Sequence, residues 1–363
     1  MKITAIETIL VAVTSDGGRP LDASRPAWRE FPTLLVRVDT DEGLSGWGEA
    51  YGYGIAPATK IALDQIVTPL VVGADPGDIA GIGHRLNRLF HYYGRNGPFS
   101  FALSGLDIAL WDLAGKVAGQ PLHRMLGGAA RTEIDVYASL VGYGDAGAVA
   151  TRASEAVTAG YRHVKLHERE VAYVAAARDA VGPDVELMLD VNCAWTLEDA
   201  LRRADRLSAL DLRWIEDSIW PPEDHAGLAR LRQAGLRISA GENVATIFDF
   251  RHLFEIDAID VAQPDVTKIG GVTEMGKVVT LAEAYGITVS PHCAGFGPGF
   301  LASMHVLAAM PQASVLERVY VELDAALFPV CVAMDSGRVK VPSGPGLGAD
   351  PDEDVIARYR VDA

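Results

Sequence analysis

From about residue 131 the chain repeats one pattern eight times, a short apolar run followed by an amphipathic segment of helix length. This alternation predicts a parallel sheet with helices packed on it, and eight repeats favour closure into a barrel. An open, doubly wound sheet is the structural alternative, but no glycine-rich phosphate-binding motif follows the first strand to favour it. The expected strands begin near Ile134, His163, Glu186, Leu212, Arg237, Ala258, Gly286 and Ser314.

The first 130 residues follow a different pattern, which is typical of a small α+β unit. Residues 3–13, 33–39 and 44–49 alternate like antiparallel strands, and Asp41-Glu42-Gly43 predicts a turn. Residues 14–31 form a polar loop between the first two strands, and long loops of this kind are often active-site lids. Helical patterns then cover residues 57–72, 77–90 and 99–118.

The change of pattern predicts two domains. Residues 1–130 are expected to form an α+β capping domain, and residues 131–324 a barrel that carries the functional site. The repeat ends after Val319, so about residues 325–363 are expected to complete the capping domain, with residues 328–363 packed back against it.

Composition excludes several kinds of partner. The formal net charge is −16 and no basic run offsets it, so the chain is not expected to bind nucleic acid. No apolar run reaches membrane-spanning length, and Glu7 interrupts the apolar start, which indicates a strand rather than a signal peptide. Cys193, Cys293 and Cys331 lack metal-finger spacing and are interpreted as reduced thiols of a cytoplasmic protein.

Three consecutive barrel strands end in an acid, at Asp190, Glu216 and Glu242. Functional residues of parallel barrels lie at the carboxyl ends of strands that run about 5 Å apart, so the three carboxylates are expected to converge. Converging anions repel unless a cation joins them, and oxygen-only ligation favours Mg²⁺ or Mn²⁺. A helix cap or an arginine pair is the alternative for each acid, but it is the minority interpretation for three matched positions.

Basic groups and a second acid complete the expected ring. Lys165 and His167 share one face of the second strand and are expected to point into the barrel mouth as bases. Alternatively, Lys165 only neutralises the metal-binding carboxylates, and His167 is an exposed loop residue. Asp265 and His292 end the sixth and seventh strands, where the carboxylate can orient the imidazole and raise its basicity. Glu317 ends the eighth strand.

Taken together, these residues resemble the enolase superfamily and, within it, the mandelate racemase subgroup. The resemblance extends over nearly the whole chain. The motifs that carry it are Gly46-Trp47-Gly48-Glu49, Ala109-Leu110-Trp111-Asp112, Lys165-x-His167, Asp190-x-Asn192, Glu216-Asp217, Gly241-Glu242-Asn243, Asp265-x-x-Lys268-Ile269-Gly270-Gly271, His292 and Leu316-Glu317-Arg318.

The resemblance implies a modified (β/α)7β TIM-type barrel with an α+β capping domain, and Mg²⁺ on Asp190, Glu216 and Glu242. It also implies abstraction of the proton α to a carboxylate, with the metal neutralising the charge that develops on the carboxylate oxygens. Glu317, if protonated, would donate a hydrogen bond to the same oxygens. Family members commonly assemble as symmetric homo-oligomers and act on small carboxylate substrates.

One position departs from the family pattern. The subgroup usually carries Lys-x-Lys on the second strand, with the second lysine as base, whereas this chain has His167 there. Imidazole is shorter and has a lower reference pKa, so either His167 is the base on that face or the face serves only for binding. Racemisation by two bases that needs an ammonium at this position is therefore disfavoured, whereas His292 can supply the base, the acid or both for an elimination.

The sequence thus favours a hydro-lyase that dehydrates a sugar acid, an aldonate or an aldarate, to a 2-keto-3-deoxy acid. Asn192 at the mouth, with Trp28 and Tyr53 of the cap loops, suits a polyol carboxylate as substrate-binding residues. The first alternative is a racemase, epimerase or lactone cycloisomerase that uses the same enolate chemistry. The second is a non-catalytic binding protein on a barrel fold, which the intact metal and dyad residues disfavour.

Overall fold

The computed structural model describes residues 1–18, 28–312 and 314–361. Its amino-terminal sheet is antiparallel, in the order β1 (Ile3–Gly17), β2 (Trp28–Thr40) and β3 (Ser45–Ala50). The first two strands extend further than predicted, because Thr14 pairs with Glu30 and Gly17 with Trp28. The predicted loop at residues 14–31 is therefore strand at both ends. Its middle, residues 19–27, lies outside the described residues, so the expectation of a lid stays a prediction.

Helices occupy the three segments predicted after this sheet, and one more short helix follows them. They are α1 (Ala56–Ile61), α2 (Thr68–Val71), α3 (Ile79–Leu89), α4 (Pro98–Ala118) and α5 (Leu122–Met125), with a π-helical turn at Ala62–Val67 and a 3₁₀ turn at Phe90–Tyr93. The longest, α4, packs closely on β3 because Gly48 has no side chain. A Cβ at Gly48 would lie 2.0 Å from the carbonyl oxygen of Gly105.

Eight parallel strands follow, and a helix joins each to the next. The strands are β4 (Glu133–Ser139), β5 (His163–His167), β6 (Glu186–Asp190), β7 (Leu212–Glu216), β8 (Ile238–Ala240), β9 (Val261–Ala262), β10 (Thr288–Val289) and β11 (Leu316–Val319). The helices are α6 (Ala146–Thr158), α7 (Val171–Val181), α8 (Leu197–Ser208), α9 (His225–Gln233), α10 (Ile247–Glu255), α11 (Gly271–Tyr285) and α12 (Pro298–Ala309). No helix within the described ranges is both long and apolar enough to cross a membrane.

The strand order β10-β9-β8-β7-β6-β5-β4-β11 curls the sheet into a barrel. Its two ends meet where the Ser290 hydroxyl donates to the carbonyl oxygen of Val315, at 2.7 Å. The interior is filled by packed side chains, so the carboxyl ends of the strands form the face available for a site. The predicted (β/α)7β barrel with a capping sheet is confirmed. The interior side chains are Tyr137, Met188, Trp214, Val261 and Val315.

The carboxyl-terminal segment contacts both sheets. It contains α13 (Pro329–Val332), β12 (Arg338–Lys340) and α14 (Glu353–Tyr359). As expected, its end packs back on the cap, where Arg360 forms a bridge with Val11 of β1. β12, however, pairs antiparallel with β4 of the barrel. The predicted domain limits, 1–130 with about 325–363 and 131–324, stay a prediction.

Asp112 of α4, from one of the quoted motifs, ties three segments of the chain together. Its fully buried carboxylate accepts hydrogen bonds from the backbone N–H of Trp47, at 2.8 Å, and of Leu347, at 2.7 Å. Lys116 lies 2.9 Å from the same carboxylate and balances its charge. The role of this motif residue is therefore to join the cap sheet, α4 and the carboxyl-terminal segment.

We expect Asp112→Ala to lower the free energy of unfolding by about 3 kcal/mol, because it leaves two buried N–H groups without an acceptor and removes one of the two carboxylates that Lys116 contacts. Urea denaturation followed by circular dichroism would measure this change. Asp112→Asn is the matched control, since the amide keeps the volume and one acceptor, and it should lose less stability. An unchanged denaturation midpoint for Asp112→Ala would contradict this role.

Candidate active site

The three predicted metal-binding acids lie at the same end of the barrel. Asp190 and Glu216 are the last residues of β6 and β7 and are paired across the sheet. Glu242 follows β8 by two residues. Asp190 and Glu216 are fully buried, and Glu242 is partly buried. Their role as metal ligands stays a prediction.

Asp190 and Glu216 already have cationic and polar partners. Lys165 Nζ lies 3.3 Å from Asp190 and 2.8 Å from Glu216. Burial would raise the pKa of Asp190, but Lys165 and His167 hold it at about 2. For Glu216 burial dominates, and it raises the pKa to about 7 despite Lys165. Gln263 Nε2 donates to the second oxygen of Glu216, at 2.7 Å.

Glu242 is turned toward the predicted dyad. One of its oxygens lies 2.6 Å from His292 Nε2, and Asn243 donates to Asp217 beside it, at 2.5 Å. Since Glu242 has this partner and Glu216 is bound by Lys165 and Gln263, no three His, Cys, Asp or Glu side chains of the described ranges are arranged to hold a metal ion.

The donor set nevertheless fits a hard divalent cation. All four carboxylates at this point, those of Asp190, Glu216, Asp217 and Glu242, supply oxygen, which is the donor that Mg²⁺ prefers. Their crowding is visible at Asp217, where burial, then Glu242 and Asp190, raise the pKa of the carboxyl well above its ordinary value. A cation between these groups would relieve that repulsion.

Lys165 and His167 both point into the mouth, as predicted from their shared strand face. Lys165 is fully buried and also lies 2.8 Å from Glu317, so it contacts three carboxylates and acts here as their counter-charge. His167 Nε2 lies 3.1 Å from Asp190, and its Nδ1 faces the carbonyl oxygen of Leu140. Burial lowers the pKa of His167, but Asp190 raises it above its ordinary value overall.

The structure brings Asp265 and His292 together as a hydrogen-bonded pair. His292 Nδ1 lies 2.7 Å from an oxygen of Asp265, and the other oxygen accepts from the backbone N–H and hydroxyl of Thr267, at 2.7 and 2.6 Å. This arrangement fixes the imidazole so that Nε2 points at the carboxylate cluster. Burial opposes the charged imidazole, but Glu242 and Glu317 raise the pKa of His292 well above its ordinary value.

Glu317 is surrounded by hydrogen-bond donors. Its oxygens contact Lys165, at 2.8 Å, the Ser139 hydroxyl, at 2.7 Å, and the backbone N–H of Cys293, at 3.1 Å. Burial would raise the pKa of Glu317, but Lys165 and His292 lower it below its ordinary value. These contacts favour the ionised carboxylate, and the role of a protonated Glu317 as a hydrogen-bond donor to substrate stays a prediction.

The three expected substrate-binding residues lie on two sides of the mouth. Trp28 and exposed Asn192 line a cleft of about 660 Å³ beside His167 and Asp190, with the Trp28 ring 5.9 Å from the His167 ring. Tyr53 lines a separate, small cavity of about 40 Å³ beside Asp265. The sequence alone does not predict that Trp28 and Asn192 lie on the His167 side of the mouth and Tyr53 on the Asp265 side.

Three residues that contact the ring were not singled out as site residues. Gln263 holds Glu216, Ser139 holds Glu317, and the Tyr137 ring lies 5.6 Å from Lys165 Nζ. The signal was present in the sequence, because Tyr137 and Ser139 alternate at the end of β4 just as Lys165 and His167 do at the end of β5. Cys293, by contrast, is buried with a thiol pKa raised well above its ordinary value by burial, which suits no nucleophile.

A capped (β/α)7β barrel whose strand ends carry buried carboxylates, a lysine and a His–Asp pair is the scaffold of an enzyme that works at the barrel mouth. Two family models match the chain, "Mandelate racemase / muconate lactonizing enzyme, N-terminal domain" over residues 5–127 and "Enolase C-terminal domain-like" over residues 148–355. The chain belongs to the enolase superfamily, in its mandelate racemase subgroup.

Similar proteins include both isomerases and lyases. The chain is 30% identical to D-galactarolactone cycloisomerase of Agrobacterium fabrum over 99% of each chain. It is 32% identical to D-galactonate dehydratase of Ralstonia pickettii, over 91% of this chain and 90% of the relative. A solved racemase of Streptomyces coelicolor A3(2) with bound magnesium matches at a TM-score of 0.87 and 30% identity, over 99% of this chain and 100% of that chain.

Proposed function

We propose that this enzyme abstracts the proton α to a carboxylate in a Mg²⁺-dependent reaction, and that the reaction is dehydration of a sugar acid to a 2-keto-3-deoxy acid. The observation that carries the proposal is the His292–Asp265 pair aimed at the carboxylate cluster. The dehydratase relative, which covers almost the same length of chain, supports an aldonate or aldarate as substrate.

Asp190, Glu216 and Glu242 are the residues that would hold Mg²⁺, with Mn²⁺ as a substitute. Bound there, the cation would neutralise the negative charge that develops on the substrate carboxylate as the α-proton leaves. Lys165 and Glu317 would remain as an internal ion pair beside this cluster, since their atoms lie 2.8 Å apart.

His292 would be the base, with Nε2 as its reacting atom, because Nδ1 is fixed by Asp265. A cation held by Glu242 would offset the carboxylate charge that now raises the pKa of His292 and would leave Nε2 able to accept a proton. Taking the α-proton makes an imidazolium that the Asp265 carboxylate stabilises. The same imidazolium would return the proton to the β-hydroxyl as the C–O bond breaks, so water leaves and an enol remains. Tautomerisation of that enol gives the 2-keto acid. His167 would bind substrate on the opposite face, beside Trp28 and Asn192.

Cycloisomerisation, racemisation or epimerisation by the same α-proton abstraction is the second candidate. The cycloisomerase relative over 99% of each chain favours it, and so does His167, whose imidazole gives the second face a group that can exchange a proton. A second base is needed to invert an α-carbon but not to dehydrate it.

A panel of aldonates and aldarates incubated with Mg²⁺ and scored with semicarbazide would test the proposal, and we expect a 2-keto acid from at least one member. The same panel in D₂O would report deuterium at the α-carbon. Deuterium exchange without any keto acid would replace dehydration by the isomerase reaction. The absence of both deuterium exchange and turnover would contradict α-proton abstraction itself.

Assembly and location are also proposed. We expect a symmetric homo-oligomer, as the family commonly forms, and light scattering of the purified protein would measure its mass. The three free cysteines of the described ranges, Cys193, Cys293 and Cys331, suit the reducing cytoplasm.

A further inference from the structure

The end of the third cap strand contacts the barrel at two points. Glu49 is buried, and its Oε2 accepts a hydrogen bond from the backbone N–H of Gly299, at 2.8 Å, in the first turn of α12. Tyr51, two residues further on, donates its backbone N–H to the carbonyl oxygen of Thr267, at 3.3 Å. The cap therefore holds two barrel loops through one short stretch of β3 and the residue after it.

These two loops are the ones that carry the Asp265–His292 pair. Thr267 is the residue that donates two hydrogen bonds to Asp265. Gly299 lies at the end of the segment that follows His292. The end of β3 and the residue after it thus contact both of the loops that carry the dyad. Glu49 belongs to a motif quoted above, but the sequence predicted no role for it.

The Glu49 carboxylate lies in a cradle built from three glycines. Cβ atoms added at Gly295, Gly297 and Gly299 would lie 3.0, 2.6 and 3.1 Å from its oxygens. Gly297 has a φ of −114°, which other residues also adopt, so its backbone conformation does not require glycine. The space for the carboxylate is what requires it.

A buried carboxyl is costly unless it is bonded, and this one has the amino-terminal end of α12 to stabilise its charge. Burial raises the pKa of Glu49 to about 7, the Gly299 N–H opposes that rise, and Asp265 adds to it. Glu49 lines the same cavity as Tyr53 and Asp265. The carboxyl is therefore coupled to the dyad side of the mouth and not to the Lys165 side.

We infer that Glu49 is a positioning residue for the reaction: by bonding the start of α12 while Tyr51 bonds the Asp265 loop, it holds His292 in line with Asp265. The inference rests on the proposed function, in which His292 is the base. It predicts that loss of Glu49 lowers the rate of α-proton transfer without weakening substrate binding.

The test compares four variants of the full chain by α-deuterium exchange, KM, thermal unfolding and the ¹H NMR signal of the His292 Nδ1 proton. We expect Glu49→Ala to lower kcat for exchange by about 10²-fold, the loss that a displacement near 1 Å can cause, with little change in KM and a shifted or broadened Nδ1–H signal. Gly297→Ala should do the same with Glu49 present, because the new methyl displaces the carboxylate. Glu49→Gln should restore most of the rate, since its amide oxygen accepts the same N–H.

Gly276→Ala is the matched control, because a Cβ there meets nothing within 4 Å, and it should leave the rate unchanged. A folded Glu49→Ala with the wild-type rate and the wild-type Nδ1–H signal would overturn the inference, while wild-type turnover would leave the proposed function standing. A loss confined to KM would make Glu49 a substrate contact instead. If Glu49→Gln is as inactive as Glu49→Ala, the inference is also overturned, because a hydrogen-bond acceptor at this position would then not restore the rate.

Discussion

His292→Asn is expected to abolish turnover, with kcat for both dehydration and α-deuterium exchange lowered by about 10⁴-fold, the upper range for a lost general base. The asparagine amide is close to the imidazole in size near Cβ and can still donate to Asp265, but it cannot accept a proton. Because His292 is buried with its partner 2.7 Å away, the substitution keeps a hydrogen bond there and the fold should survive. Stopped-time deuterium incorporation and thermal unfolding would measure the two effects separately.

His167→Asn is the matched comparison on the opposite face. Its imidazole bonds Leu140 and Asp190, so we expect it to keep exchange and to lose less than about 10²-fold in kcat, below the range for a lost base. If His167→Asn is inactive while His292→Asn still exchanges the α-proton, the base has been assigned to the wrong face. Equal inactivity of both variants would favour an isomerase with two bases.

The barrel could be predicted because its pattern is local. Each strand from β4 to β8 begins within a residue or so of its predicted start, since the apolar run and the next helix are both visible in sequence. β9 and β10 are two-residue strands that begin later than expected, at Val261 and Thr288. The length of the antiparallel pair β1–β2 was underestimated because its ends do not show a strand pattern in the sequence. Its polar ends, such as Thr14 and Glu30, are held by backbone pairing that side-chain pattern does not report.

The position of the candidate site residues at the barrel mouth could also be predicted, because the end of a strand fixes where a side chain begins. The contacts that these side chains make with one another could not be predicted, because they depend on which groups meet across the mouth. Glu242 lies against His292, and Glu317 lies against Lys165. Neither contact can be predicted from the spacing of these residues in the sequence. The cap was the least predictable part. Glu49 reaches α12 only because glycines distant in sequence leave room for it.

Asp190→Asn is expected to remove both metal binding and turnover. In the wild-type protein the backbone N–H of Asn192 donates to Asp190 Oδ1, at 2.8 Å, and an amide oxygen can accept the same hydrogen bond. The neutral amide, however, supplies less negative charge to a divalent cation. We expect no Mg²⁺ binding heat by calorimetry and a kcat lowered by about 10³-fold or more, since several kcal/mol of charge stabilisation is lost. Asp205→Asn, on the exposed side of α8, is the matched control and should behave like wild type.

Stability gives a second readout of the same site that needs no substrate. If Asp190, Glu216 and Glu242 hold the cation, Mg²⁺ at one hundred times its Kd should stabilise the wild-type fold by about 2.7 kcal/mol, and a chelator should reverse the gain. Burial raises the pKa of Asp217 well above its ordinary value, and repulsion from Glu242 and Asp190 raises it further. A bound cation would relieve that repulsion, which would contribute to the gain. Asp190→Asn should show no such gain. Full activity in chelated wild-type enzyme, or Mg²⁺ stabilisation that survives in Asp190→Asn, would contradict the metal assignment while leaving the His292–Asp265 dyad to be judged by its own variant.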